Sequence, residues 1–206
     1  KPTTAMRKPK QPDQNRLRIL EAAIAEFSER GFKGASMDAI AARTHTTRAM
    51  INYYFGGKEG CYRAVLEYVY RGIREQEGQL DLEHLAPVDA IRRVVATTFQ
   101  YYIDHPGFVN LVVAENQAKG RHLKQSKVMR SLNLPIIAAM RDVLARGQRA
   151  GVFRKDADPV ELHMAISALG FFNMANQYTF GAIFRHPLGA HGNVRRRRDL
   201  VTEIVL

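Results

Sequence analysis

Thr46-Thr47-Arg48-Ala49 and Asn52-Tyr53-Tyr54 bring hydroxyls, a guanidinium, an amide and phenols into one short stretch of the chain. A guanidinium fork matches the acceptor edge of guanine, an amide pairs bidentately with adenine, and hydroxyls or phenols bond phosphate oxygens. The chemistry is non-covalent recognition of a polyanion. The same residues would also serve as the wet face of any surface helix, and spacing alone leaves both readings open. Catalytic groupings are missing. The seven histidines are scattered singly, with no His-Glu-x-x-His, Gly-x-Ser-x-Gly, phosphate loop or dinucleotide fingerprint. In Glu161-Leu162-His163 the two titratable residues lie too close in sequence to share a helix face. Cys61, the single cysteine, can form neither an internal disulfide nor a thiolate-rich zinc site. No enzymatic activity, cofactor or metal is expected.

The charge balance agrees with an anionic partner. There are 31 Lys+Arg against 20 Asp+Glu, a formal +11, which suits nucleic acid or an anionic lipid surface. Residues 1–63 hold 12 basic against 6 acidic residues, so the excess is densest at that end. Residues 1–12 carry Lys1, Arg7, Lys8 and Lys10 between Pro2, Pro9 and Pro12, and read as a basic arm over 1–13 that either reaches for DNA or touches nothing. At 206 residues, 46% hydrophobic and 25% charged, the chain has the composition of a globular protein with a real core. No stretch approaches about 18 apolar residues, and Lys1-Pro2-Thr3-Thr4 is no apolar leader. A cytoplasmic location without membrane contact is expected.

The elements that must hold these residues are helices. Leu17, Leu20, Ile24 and Phe27 recur on one helical face until Gly31 and Gly34. Ser36 caps a short helix with Met37, Ile40 and Ala41 inward. Thr46 or Thr47 caps a third, whose apolar side is Met50, Ile51, Tyr54 and Phe55, ended by Gly56-Gly57. A long helix follows from Lys58 to about Gln79. Further helices are predicted from Pro87 to His105, from Phe108 to Ala118, from Pro135 to Ala150, from Asp158-Pro159 to about Phe184, and from Asn193 to Leu206. The fold class is all-α: a three-helix helix-turn-helix domain over 14–60, joined by a long helix to an α-helical domain over 61–206. Two short helices at a tight turn, braced by a first, put the second against a major groove.

Phe27, Gly31, Phe32, Gly34, Ala35, Ser36, Ile40, Ala41 and the run Ile51-Asn52-Tyr53-Tyr54-Phe55-Gly56-Gly57-Lys58-Glu59 resemble, in order and spacing, the DNA-binding signature of the TetR family of bacterial transcriptional regulators. The resemblance implies a homodimeric, ligand-responsive regulator, a repressor on a palindromic duplex operator. By it, Ser36, Thr46, Thr47, Tyr53, Tyr54 and Lys58 contact phosphates, Arg48 and Asn52 read bases, and Ala49 makes an apolar contact. Thr44-His45 stands where the family carries Ala-Gly, so a histidine must take a position suited to positive φ. Asn52 replaces the usual tyrosine. Cys61 replaces a common leucine and reads as a small buried hydrophobe.

The C-terminal domain is rich in aromatics and methionine. Phe99, Tyr102, Phe171, Phe172 and Met174 are expected to wall a cavity for a small apolar or amphipathic effector, with Asn116 and Asn176 orienting its polar end. The apolar helix from Asp158 to Phe184, with Gly170 at its centre, and the final helix resemble the family's dimerisation bundle. Arg195-Arg196-Arg197-Arg198 is either a solvated helix start or a second anion contact. Two other classes remain in view: a basic helical protein on anionic membranes, and a DNA-binder with no effector.

Overall fold

The computed structural model describes residues 11–206, without the side chains of 11–13 and 191, and every regular element among the described residues is helical. The first three α-helices form the helix-turn-helix unit: α1 (Gln11–Gly34), α2 (Met37–Arg43) and α3 (Arg48–Phe55). Next, α4 (Lys58–Gly78) leads into α5 (Pro87–Asp104), α6 (Pro106–Gln117), α7 (Met129–Arg149), α8 (Pro159–Ala175), α9 (Gln177–Phe184) and α10 (His191–Val205), with a 3-10 turn at Leu123–Gln125.

Local chemistry explains most boundaries. Gly31, at φ 63, breaks the helical path of α1. Asp158 caps α8 by accepting from the Val160 and Glu161 amides at 2.8 and 3.0 Å, and Pro159 fills the first position, where a missing N–H costs nothing. Several boundaries differ from the sequence reading, α6 among them, which starts at Pro106 rather than Phe108. Helix α1 already includes Gln11-Pro12-Asp13, because a proline in the first turn gives up an amide that would be unpaired anyway. The rest of the basic arm lies outside the described residues. Helix α7 starts at Met129 rather than Pro135, its first turn held by Ser126 Oγ accepting from the Met129 amide at 3.2 Å, and it carries Pro135 within it. The predicted helix to Phe184 is two, parted at Asn176 (φ −111, ψ 9). Helix α10 begins two residues before Asn193.

One apolar core runs from Phe27, Ile40 and Ile51 in the helix-turn-helix unit through Tyr62 and Leu66 of α4 to Tyr102, Phe108 and Leu111. In α1 its inner face is Ile19, Leu20, Ala23 and Phe27, so Leu17 points outward. A second core gathers Ile91, Val95 and Phe99 of α5, Met140 and Val143 of α7, Ile166 of α8 and Val201 of α10. Helix α4 belongs to the first core and packs on α5 and α7 of the second, while α1 packs directly on α6, so both pairings join the two halves.

Candidate nucleic-acid interface

The support of α3 begins with Glu26, a buried carboxylate on α1. Its Oε1 accepts from the Ser36 amide at 3.0 Å, and its carboxylate is flanked by Arg30 at 3.4 Å and Arg43 at 3.5 Å. The free amide before α2 and the guanidinium near its end are thereby tied to α1. Ser36 Oγ accepts from the Ala39 amide at 3.3 Å, so its hydroxyl already serves as a cap. Between α2 and α3 the Thr44 hydroxyl is buried and donates to the Ile40 carbonyl at 2.9 Å. His45 then takes φ 50, the left-handed turn expected of that position.

Thr47 is the N-cap of α3, its hydroxyl accepting from the Met50 amide at 3.2 Å. Ile51 and Phe55 anchor the helix inward. Arg48, Ala49, Asn52 and Tyr53 face solvent, Tyr53 at 81% exposure, while Tyr54 is half-buried with its ring 5.5 Å from that of Tyr53. Met50, placed inward from the sequence, is 38% exposed and belongs to the outer face. Gly56 closes α3 in the left-handed region at φ 73. A Cβ on Gly60 would stand 1.7 Å from the Phe55 carbonyl oxygen, so only glycine lets α4 cross the end of α3 this closely.

Two of the basic side chains have partners. Arg48 lies 3.4 Å from Asp38, an exposed pair worth about 0–1 kcal/mol and easily exchanged for a base or phosphate. Lys58 donates to the Lys33 carbonyl at 3.2 Å and sits over the Phe32 ring. Arg16 was not among the sequence candidates; its guanidinium lies 5.2 Å from the centre of the Phe55 ring, which sets a further cation beside the end of α3. Only the packing of α1 on α3 reveals it. Cys61 is fully buried, and burial pushes its thiol up to about 12, as suits a packing residue.

A short, rigidly capped helix with a polar outer row, braced by two others, is the docking geometry of a helix-turn-helix. Residues 19–65 match the model described as bacterial regulatory proteins, tetR family, and residues 87–205 match the tetracyclin repressor-like C-terminal domain. The chain belongs to the TetR family. Among curated TetR-family relatives, the HTH-type transcriptional repressor NicS of Pseudomonas putida is 34% identical over 84% of this chain and 81% of its own length. The HTH-type transcriptional repressor SCO4008 of Streptomyces coelicolor is 32% identical over 72% and 71%. Among solved structures, a transcriptional regulator of Streptomyces coelicolor, SCO4942, shares the fold at TM-score 0.68, 24% identical over 93% of this chain and 96% of that one. The chain is thus a helix-turn-helix transcriptional regulator of TetR type.

The seven residues expected to form an effector cavity do not line one space: Phe99, Tyr102, Phe171 and Met174 pack in the cores, whereas Phe172, Asn116 and Asn176 do not join them. Phe99 is buried in the second core and Tyr102 in the first, both pressed against Gly170, where an added Cβ would meet both rings at 3.3 Å. Gly170 therefore admits helix α5 of the same protomer, which corrects its expected place at a dimer interface. Phe171 and Met174 pack on that core, Phe171 with its ring 5.9 Å from Tyr102. Phe172 turns the other way, toward Phe180, and is 43% exposed. Asn116 donates to the Val112 carbonyl at 3.1 Å, and Asn176 to the Phe172 carbonyl at 3.4 Å, so both amides are spent on their own helix ends. Adjacent aromatics on one helix point apart, and solvent-facing asparagines satisfy themselves locally.

Proposed function

We propose that this TetR-family chain is a repressor that binds a palindromic duplex operator as a homodimer through α3, with Arg48 and Asn52 at the base edges and Ala49 in apolar contact. Ser36, Thr46, Thr47, Tyr53, Tyr54 and Lys58 lie along the phosphates, joined by Arg16. The observation that carries this reading is the outer row of α3, held rigid by the Thr47 cap and by Ile51 and Phe55 beneath it. The relatives named repressors support the sign of regulation. Dimerisation is supported by an apolar row that the protomer leaves open: Val160, Met164 and Phe172 of α8 beside Leu200 and Ile204 of α10, each at least 42% exposed. No helix of the described residues is long and apolar enough to cross a membrane.

An effector in the C-terminal domain would act by moving α4 and so the separation of the paired α3 helices, which DNA fixes at about 34–36 Å or a repeat of it. The test is fluorescence anisotropy with labelled duplex across a salt series, beside flotation with anionic vesicles. A dimer preferring one duplex, with affinity falling steeply as salt rises, is expected. Vesicle binding without duplex preference would replace the reading with a membrane-surface one.

A further inference from the structure

This inference rests on the reading that the C-terminal domain takes an effector, and it gives that effector a place and a chemistry. A cavity of about 620 Å³ lies between the second half of α4, the connection after it and the first half of α7, within the usual size range of small-molecule sites. Leu82, Leu132, Ile136 and Ala139 make an apolar wall. Opposite stand Arg71, Arg74, Glu75 and Glu77 of α4, with Asp81 and Glu83 on the connection after it.

Glu77 is the exceptional member. Its side chain is 2% exposed, and Oε2 lies 2.8 Å from Arg74 Nη1, close but poorly aligned, while Oε1 has no hydrogen-bond partner among the described residues. Behind it, Arg74 Nη1 lies 3.3 Å from Nε2 of His163 on α8, and Arg74 Nε is also without a partner. Burial raises the Glu77 carboxyl to about 7 even against the Arg74 charge. A buried carboxylate oxygen with nothing to accept carries its desolvation cost unrelieved. The lining as a whole has four carboxylates against two guanidiniums; Arg74 is committed to Glu77 and Asp81 to the neighbouring His84, which leaves Glu75 and Glu83 against Arg71. An incoming anion would face the surplus of carboxylates. A positively charged N–H donor would relieve both the surplus and the vacant Oε1.

We propose that this cavity binds an organic ammonium ion with an apolar body, its N–H donating to Glu77 Oε1 and its hydrocarbon resting on Leu132, Ile136 and Ala139. Helix α4 has Glu77 near one end and Lys58 at the other, so a ligand wedged against α7 bears on the helix that carries the DNA-binding unit.

The test is calorimetric titration of the full chain with 4-phenylbutylammonium, 4-phenylbutanol and 4-phenylbutyrate. The ammonium should bind at least about tenfold more tightly than either isostere, and Glu77→Gln should erase that preference. Because Glu77→Gln leaves Arg74 buried without its partner and can impair folding, Ala139→Trp, which fills the apolar wall, is the second variant. It should abolish binding of all three while keeping the helical circular-dichroism signal. Absence of ammonium binding, equal binding of the three, a preference that survives Glu77→Gln, or ammonium binding retained by Ala139→Trp would each overturn the proposal. Operator affinity measured with the same ammonium separates the two readings. Glu77-dependent binding that leaves operator affinity unchanged keeps the site and defeats the effector role.

Discussion

At the scale of single residues, α3 and the start of α4 offer two kinds of contact that mutation can tell apart. Arg48 and Asn52 project from the outer row with no tertiary duty beyond the weak Asp38 pair. Replacing either by alanine should leave stability nearly unchanged, cost about 1–3 kcal/mol of operator binding and relax preference at one base position. Lys58 sits at the start of α4, where helix amides already favour a phosphate. Lys58→Ala should weaken all duplexes about equally and shallow the salt slope by about one unit. Binding titrations of the three variants over several salt concentrations and single-base operator changes check both patterns, and unchanged selectivity in both Arg48→Ala and Asn52→Ala would remove them from base reading. These positions were legible in the sequence because caps, turn residues and inward residues all lie within a few positions of each other. Even the left-handed His45 followed from its place in the turn. Arg16 was not legible, because its closeness to Phe55 is a tertiary fact.

At the scale of elements, burial and neighbours override patterns read along one helix. Gly170 lies within the protomer against Phe99 and Tyr102, so Gly170→Glu should cost several kcal/mol of folding free energy, through overpacking and an unpaired buried charge. Urea denaturation should show the loss directly, and a stable variant that is merely monomeric would return Gly170 to the interface. His163 offers a second check, on α8. Burial first, and Arg74 second, lower its imidazole to about 4 from 6.5. A base with a depressed folded value contributes stability that is present above 6.5 and lost as pH falls through 4. The melting temperature of the parent relative to His163→Gln should therefore fall between pH 7 and pH 4. A gap that stays constant across that window would show that His163 titrates normally in the fold. The sequence could not disclose this environment, nor the division between α8 and α9, where no glycine or proline marks Asn176 and both sides are apolar. Pro12 and Pro135 misled in different ways: Pro12 stands in the first turn of α1, where its missing amide costs no bond, whereas α7 is started by the Ser126 cap and carries Pro135 in its interior.

At the scale of the molecule, two cores meet at α4, and the segment after α6 is fastened to the DNA-binding half. His122 packs its ring 4.5 Å from Phe32 and 4.8 Å from Tyr62, Glu115 holds His122 Nδ1 at 2.8 Å, and Arg121 reaches Glu59 at 2.8 Å. These contacts tie the segment after α6 to α1 and to the start of α4. The two-part helical plan was legible from helical periodicity and the helix-turn-helix motif. The cavity beside Glu77 was not, since it exists only where α4, the connection after it and α7 meet, and the unpartnered oxygen of Glu77 is a fact of that meeting. The central claim, a dimeric repressor reading duplex DNA through α3, is tested most directly by selecting duplexes from a random library with the purified full chain. The account predicts enrichment of one inverted repeat, its half-sites centred one helical turn apart or a multiple of it, bound by two copies of the chain and lost in a double Arg48→Ala, Asn52→Ala variant. Enrichment without an inverted repeat, or a repeat that the double variant still selects, would contradict it.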